Sequence, residues 1–175
     1  MSETLGNINK VCENKSNAPG LKQFLYVANA ADIESIPEPS TNLTVTDDIV
    51  MKPGKTFKRW AISKNEQGWD SKRVGDEDGK VSETEAKVYI PELSSYKSEI
   101  LSCNDMCAKI VITVDNNGKQ RIVGLLGNEA YTSADEQAAP KNGYVVTAKA
   151  TTARPPYYYT GAIAVEPDAE PPTNN

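Results

Sequence analysis

The stretch AKIVITVDNNGKQRIVGLL, residues 108–126, sets Asn116-Asn117-Gly118 between two apolar-rich runs, Ala108 to Val114 and Ile122 to Leu126. An Asn-Gly pair flanked by such runs signals a β-hairpin, because both central positions of a two-residue turn need positive φ. Glycine accepts that conformation freely, and asparagine tolerates it better than most residues. With Asn117 and Gly118 at the turn, Ile112 falls opposite Val123 and Ile110 opposite Leu125, while Thr113 meets Ile122 on the other face. Gly124 and Gly127 bracket Leu125-Leu126 and permit a bulge, a bend or a close backbone approach. The clearest pattern in the chain therefore builds sheet.

Outward from this hairpin, more strands follow. Leu21 to Ala28 alternates, with Phe24, Tyr26 and Ala28 on one face and Leu25 and Val27 on the other. Ala30 to Ile36 reads as a short helical turn stopped by Pro37-Glu38-Pro39, and Thr41 to Met51 as a strand weakened by Asp47-Asp48. Phe57 to Ile62 is a better strand, with Trp60 and Ile62 sharing a face. Val81 to Ile90 sets Thr84, Ala86, Val88 and Ile90 against Glu83, Glu85, Lys87 and Tyr89, a sheet with one wet face. The charged stretch Ser63 to Asp78 reads as a long exposed loop anchored by Trp69, so that Phe57 to Ile62 and Val81 to Ile90 form a projecting hairpin. After Pro91, Leu93, Tyr96, Ile100 and Leu101 recur at helical spacing through Cys103, a short helix that needs a sheet to lie on. Thr132 to Pro140 is a polar excursion ending in Lys141-Asn142-Gly143, whose Asn142 and Gly143 mark a second structural turn. Tyr144 to Ala150 is a strand, and Tyr157 to Val165 closes the fold. The expected class is mainly β, an antiparallel sandwich or open barrel with one short flanking helix. Residues 1–20 are expected to form a polar N-terminal arm, 21–165 the β domain, and 166–175 a proline-rich disordered tail.

The bulk numbers favour a component that assembles. The chain has 175 residues and no histidine, the residue most often used for proton transfer near neutral pH. Eight tyrosines against two Phe and two Trp suit surfaces that become buried on association. A net charge of −5 without a Lys/Arg cluster makes a poor grip for phosphate backbones. No apolar run is long enough to span a bilayer, and the start carries no export signal, so synthesis in the cytoplasm is expected.

Chemistry finds little support. Val123-Gly124-Leu125-Leu126-Gly127-Asn128 lacks the lysine and helix of a phosphate loop. Asp76-Glu77-Asp78-Gly79 and Asp47-Asp48 do not supply calcium oxygens at loop spacing, and a solvated hairpin tip explains the first of them. Cys12, Cys103 and Cys107 read as free thiols; no His completes a metal site and no base activates Cys107. Paired carboxylates exist in any chain with 24 acids, but nothing singles one pair out. Tyr157-Tyr158-Tyr159 lies near no basic groove, which favours packing over a stacking platform. No catalytic residue, metal or cofactor is expected.

The order Lys109 to Val114, Asn-Asn-Gly, Val123-Gly124, then Asn142-Gly143-Tyr144-Val145-Val146-Thr147 and a last strand near Tyr157 resembles the major tail, or tail-tube, proteins of tailed bacteriophages. The likeness is nearest to those of phages with Bacteroidetes-like hosts. The opening Leu5-Gly6-Asn7-Ile8 with Cys12, then Gly20 and the run Lys22 to Ala28, is similar to the start of such proteins. The resemblance implies subunits in rings, commonly sixfold, whose strands continue into one circular sheet and whose rings stack into a tube. Partners would be further copies, other tail proteins (terminator, baseplate or hub, tape measure) and DNA that passes without specific binding, in the virion tail. Phe57 to Ile62 and Val81 to Ile90 would line the lumen, with Glu83, Glu85 and Lys87 facing inward and the glutamates keeping the passage anionic. Trp69, Asp76 and Asp78 would belong to a loop reaching the adjacent ring. The proline-rich tail and the region around Trp60 and Trp69 have no counterpart in this likeness. Other readings are a head decoration, tail terminator or baseplate ring protein, and a carbohydrate-binding or adhesin module using Trp69 and Tyr157 to Tyr159.

Overall fold

The computed structural model describes residues 20–63, 67–76, 79–105 and 107–166, without the side chains of Thr41, Cys103 and Asn104. The arm before Gly20, the tail after Glu166, Asp78 and Met106 lie outside the described residues. Among the described residues the fold is mainly β, with three sheets and one α-helix.

The largest sheet holds six strands. They are β1 (Leu21–Asn29), β3 (Thr44–Val45), β5 (Lys58–Ala61), β8 (Lys109–Asp115), β9 (Gln120–Val123) and β12 (Tyr158–Tyr159), in the order β3-β12-β9-β8-β1-β5. A four-stranded sheet runs β10-β11-β7-β6, from β6 (Gly68–Val74), β7 (Val81–Pro91), β10 (Tyr131–Gln137) and β11 (Gly143–Thr152). β2 (Ile33–Ser35) and β4 (Val50–Met51) pair separately. Every pairing is antiparallel except β12 with β3.

β8 forms because KIVITV is β-branched almost throughout, and burial on both faces explains its unbroken apolar run. One face sends Val111 into a cluster with Leu25 and Val27 of β1, Val123 of β9, and Ala86, Val88, Val146 and Ala148 of the four-stranded sheet. The two large sheets thus share a core. The other face sends Ile110 and Ile112 into a second cluster with Ile33, Val45, Ile49, Phe57 and Tyr159.

The hairpin β8–β9 is present, but its turn has three residues. Gly118 donates its N–H to Asp115 O at 2.9 Å, and Asp115 N–H donates to Lys119 O at 2.9 Å. Asp115 Oδ1 also accepts from Lys119 N at 2.7 Å. Only Gly118 takes positive φ, +81°; Asn117 does not. This turn with a glycine bulge moves the register by one. Ile112 faces Ile122, Val111 faces Val123, and Thr113 faces Arg121. The extra residue is favoured because the Asp115 carboxylate holds the closing amide, which a two-residue turn would not offer it.

Other expectations need correction. Phe57 to Ile62 does not pair with Val81 to Ile90: β5 pairs with β1, and β7 takes β6 as its hairpin partner. The expected loop Ser63 to Asp78 therefore contains a seven-residue strand, and the polar excursion Thr132 to Pro140 contains another, β10. Both are edge strands, where half-exposed positions carry polar residues and the hydrophobic signal fades. Thr41 to Met51 breaks into a 3-10 turn and the short strands β3 and β4, and Tyr157 to Val165 keeps only β12.

The helix α1 (Ser95–Asn104) starts at Ser94, whose side chain accepts from Lys97 N at 3.2 Å. Leu101 is buried, whereas Tyr96 is exposed, so the apolar stripe is narrower than its spacing implies. Buried Tyr144 ties α1 to β11. Its hydroxyl donates to Ser94 O at 2.9 Å, accepts from Ser94 N at 3.1 Å, and lies 2.7 Å from Ser98 Oγ.

Candidate assembly interface

Sheet margins are the most distinctive feature of the molecule. The six-stranded sheet ends in a two-residue strand, β3, and a four-residue strand, β5. Beside β5, Phe57 is bridged to Val165: Phe57 N donates to Ala164 O at 2.8 Å and Glu166 N to Phe57 O at 3.2 Å. Lys58 and Glu166 add an exposed ion pair there. These margins are short and partly strapped.

The four-stranded sheet ends differently. β6 and β10 are each seven residues long, and among the described residues neither makes a backbone hydrogen bond on its outer side. Among the described residues each therefore presents N–H and C=O groups with no backbone partner, a template for another strand. Three antiparallel pairings separate them, so β6 and β10 run in opposite directions. Their ionic side chains differ as well. β6 carries Asp70, Lys72 and Arg73, and β10 carries Asp135 and Glu136.

The sheet's outer face follows from its registers. Asp70, Glu85 and Lys149 lie in one row, Lys72, Glu83 and Thr151 in the next, and Lys87 with Thr147 and Ser133 in a third. Glu83 and Lys87 are exposed and Glu85 is half-buried, so all three stand on this wet face as their alternation implies. The face is not uniformly acidic: Asp70, Glu83, Glu85 and Asp135 are offset by Lys72, Lys87 and Lys149. Two of these pair within the subunit, Lys149 with Glu85 at 3.2 Å and Lys72 with Asp70 at 3.6 Å. Toward one end the face is hollow. A concavity of about 750 Å³ is lined by Gln67 and Asp70 from the β6 side, Glu85, Lys87 and Tyr89 from β7, and Gln137 from β10. Lys141 Nζ sits 5.7 Å from the Tyr89 ring centre.

Trp69 is on strand β6, not in a loop, and it packs toward the shared core. Arg121 explains its position. The guanidinium lies 4.9 Å from the Trp69 ring centre and 3.4 Å from that of Tyr158, and it donates to Pro156 O at 3.3 Å. This stack links the two large sheets at their rim. Asp76 is in the β6–β7 turn, and Asp78 lies outside the described residues. In the triple tyrosine, Tyr157 and Tyr159 pack into the second core cluster while Tyr158 faces Arg121. None of the three forms an open aromatic platform.

Asn142 and Gly143 join β11 to the end of β7. Asn142 O accepts from Glu92 N at 2.8 Å, and a Cβ on Gly143 would come within 2.4 Å of Ile90 O. Lys109 is buried, its amine donating to Cys107 O at 2.9 Å, and burial lowers its pKa below the ordinary lysine value despite the favourable fields of Cys107 and Asp105. Burial likewise raises the Tyr159 phenol. Among the described residues no group of three or more His, Cys, Asp or Glu side chains could hold a metal ion. The edge strands were missed in the sequence because their signal is weak; the parity of Trp69, Ser71 and Arg73 against Asp70 and Lys72 was the available clue. No family model matches this chain, nor does any curated protein or solved structure.

Proposed function

We propose that this protein is a structural subunit that polymerises through its four-stranded sheet into stacked rings, as a phage tail-tube protein does. The observation that carries the reading is the pair of open seven-residue margins, β6 and β10, on one sheet. Lateral addition of identical copies would complete both. In this reading the two large sheets form a β-sandwich, and the hollow wet face bearing Glu83, Glu85 and Lys87 turns toward the lumen. The mixed charge of that face, four acids and three lysines, makes a nearly neutral, weakly acidic lining on which a polyanion finds no dense cationic grip. β5 lies in the other sheet and has no place in this lining.

Negative-stain microscopy of the purified protein tests the proposal. Hollow filaments with a regular axial repeat are expected. Isolated rings or trimers would transfer the assignment to a terminator, baseplate or decoration protein, and a monomer at high concentration would refute self-assembly. A carbohydrate-binding module is the second reading, favoured by the concavity in the wet face. It predicts a monomer that binds glycans.

A further inference from the structure

The two open margins differ in direction and in charge, and together they select one pairing. We infer that β6 of one subunit pairs with β10 of the next, antiparallel, in the register that sets Lys72 opposite Asp135. This rests on the ring reading and specifies the contact that builds it.

Direction comes first. A copy displaced sideways along the sheet keeps its strand directions, and β6 and β10 run oppositely. The neighbour's β10 therefore arrives antiparallel to β6, and the alternation of the four strands continues unbroken from subunit to subunit. The competing two-fold contacts consume one margin only. A β6–β6 dimer leaves two open β10 strands, while a β10–β10 dimer gathers Asp135 and Glu136 of both copies along one seam. Only the unlike contact, repeated, uses both margins of every copy.

Pleat and charge then fix the register. Asp70, Lys72 and Val74 are on the wet face of β6, and Ser133, Asp135 and Gln137 on that of β10. Wet must meet wet, because a slip of one residue would set the wet face of one copy level with the core face of the next. Among the registers that remain, one sets Asp70 directly against Asp135, a like-charge pair. The next sets Lys72 against Asp135 and Asp70 against Gln137, places Arg73 diagonal to Glu136, and pairs residues 70–74 with 133–137. A further slip that way leaves three pairs, and the opposite slip sets Lys72 against Tyr131 and Asp70 against Ser133, with no opposite charges facing. Lys72 is well placed to turn to a neighbour, since its side chain is 77% exposed and its contact with Asp70 is at the surface.

Disulfide trapping tests this in the full chain. Antiparallel partners have Cα atoms about 4.5–5.5 Å apart, inside the disulfide range. A chain carrying Lys72→Cys and Asp135→Cys should oxidise to a ladder of species beyond the dimer, with the 72–135 linkage found by mass spectrometry. Lys72→Cys with Ser133→Cys should give little. In parallel, Lys72→Asp alone should raise the concentration needed for assembly about tenfold, given two such charge contacts per subunit. Adding Asp135→Lys to that chain should restore it. If wild-type rings or filaments form but the 72–135 ladder is absent, or the 72–133 pair traps better, the register is wrong while the ring reading stands. Dimers of Lys72→Cys alone that carry a 72–72 linkage, not one through the exposed native Cys107, show β6–β6 pairing and overturn the inference. A wild-type protein that stays monomeric and traps no ladder overturns both.

Discussion

Two glycines with nearly the same backbone angle separate strain from crowding. Gly118 has φ +81° and Gly124 φ +87°, so alanine at either meets the same left-handed penalty, about 1–2 kcal/mol. Part of that is offset by about 0.4–1 kcal/mol from a stiffer unfolded chain. At Gly118 a new Cβ meets nothing within 4 Å, and the net cost of Gly118→Ala should be near 1 kcal/mol. At Gly124 the Cβ would lie 2.6 Å from Ala130 N and 3.1 Å from Lys109 O. Those two atoms belong to a bridge in which Ala130 N donates to Lys109 O and Lys109 N to Ala130 O, both at 2.8 Å. To regain ordinary contact the Ala130 backbone must retreat by roughly 0.8 Å, which stretches or breaks one or both bonds at about 0.5–1.5 kcal/mol each. Gly124→Ala should therefore cost about 2–4 kcal/mol. Urea unfolding of both variants, compared at equal slope, measures the difference. Costs within 0.5 kcal/mol of each other would show that the close approach at Gly124 carries no energy, and that the route from β9 into β10 is not fixed there.

Thr113 faces the shared core with its hydroxyl buried and unpaired, so Thr113→Val should raise stability by about 1 kcal/mol, read by urea unfolding; destabilisation would mean that the hydroxyl has a partner. Tyr144→Phe removes three hydroxyl contacts that hold α1 against β11, and should cost about 1–3 kcal/mol with amide exchange rising first at residues 94–98. Burial holds the folded pKa of Lys109 below the 10.5 of the open chain. Between those values the unfolded chain binds more protons, so wild-type stability should rise with pH relative to Lys109→Met, and the two should run parallel at lower pH. A flat difference up to pH 10.5 would show that the amine is not desolvated.

The sequence was most legible where one residue type had to satisfy two constraints at once. β8 needed apolar residues on both faces, and KIVITV could be little else than a central strand. β7 and β11 showed their alternation plainly, with Glu83, Glu85 and Lys87 on the wet side. The turn at Gly118 was visible but its length was not, because the deciding bond is from the Asp115 carboxylate to Lys119 N, and an Asn-Asn-Gly string fits either loop.

What stayed hidden is also what matters most for the proposed role. An edge strand made to receive a neighbour is polar, short of aliphatic residues and half solvated while the subunit is alone. GWDSKRV and YTSADEQ therefore read as loops, since a strand at a margin is covered by a neighbour on one side only. Their pairing partners inside the subunit, β7 and β11, carry the hydrophobic signal for both. The centre of this sheet is written in aliphatic residues and its margins in charge, so its core is filled by the subunit's own strands while its edges remain polar. In the proposed ring the contrast of Lys72 and Arg73 with Asp135 and Glu136 would select the unlike margin, so that the weak patterning that hides the strands would also direct their assembly.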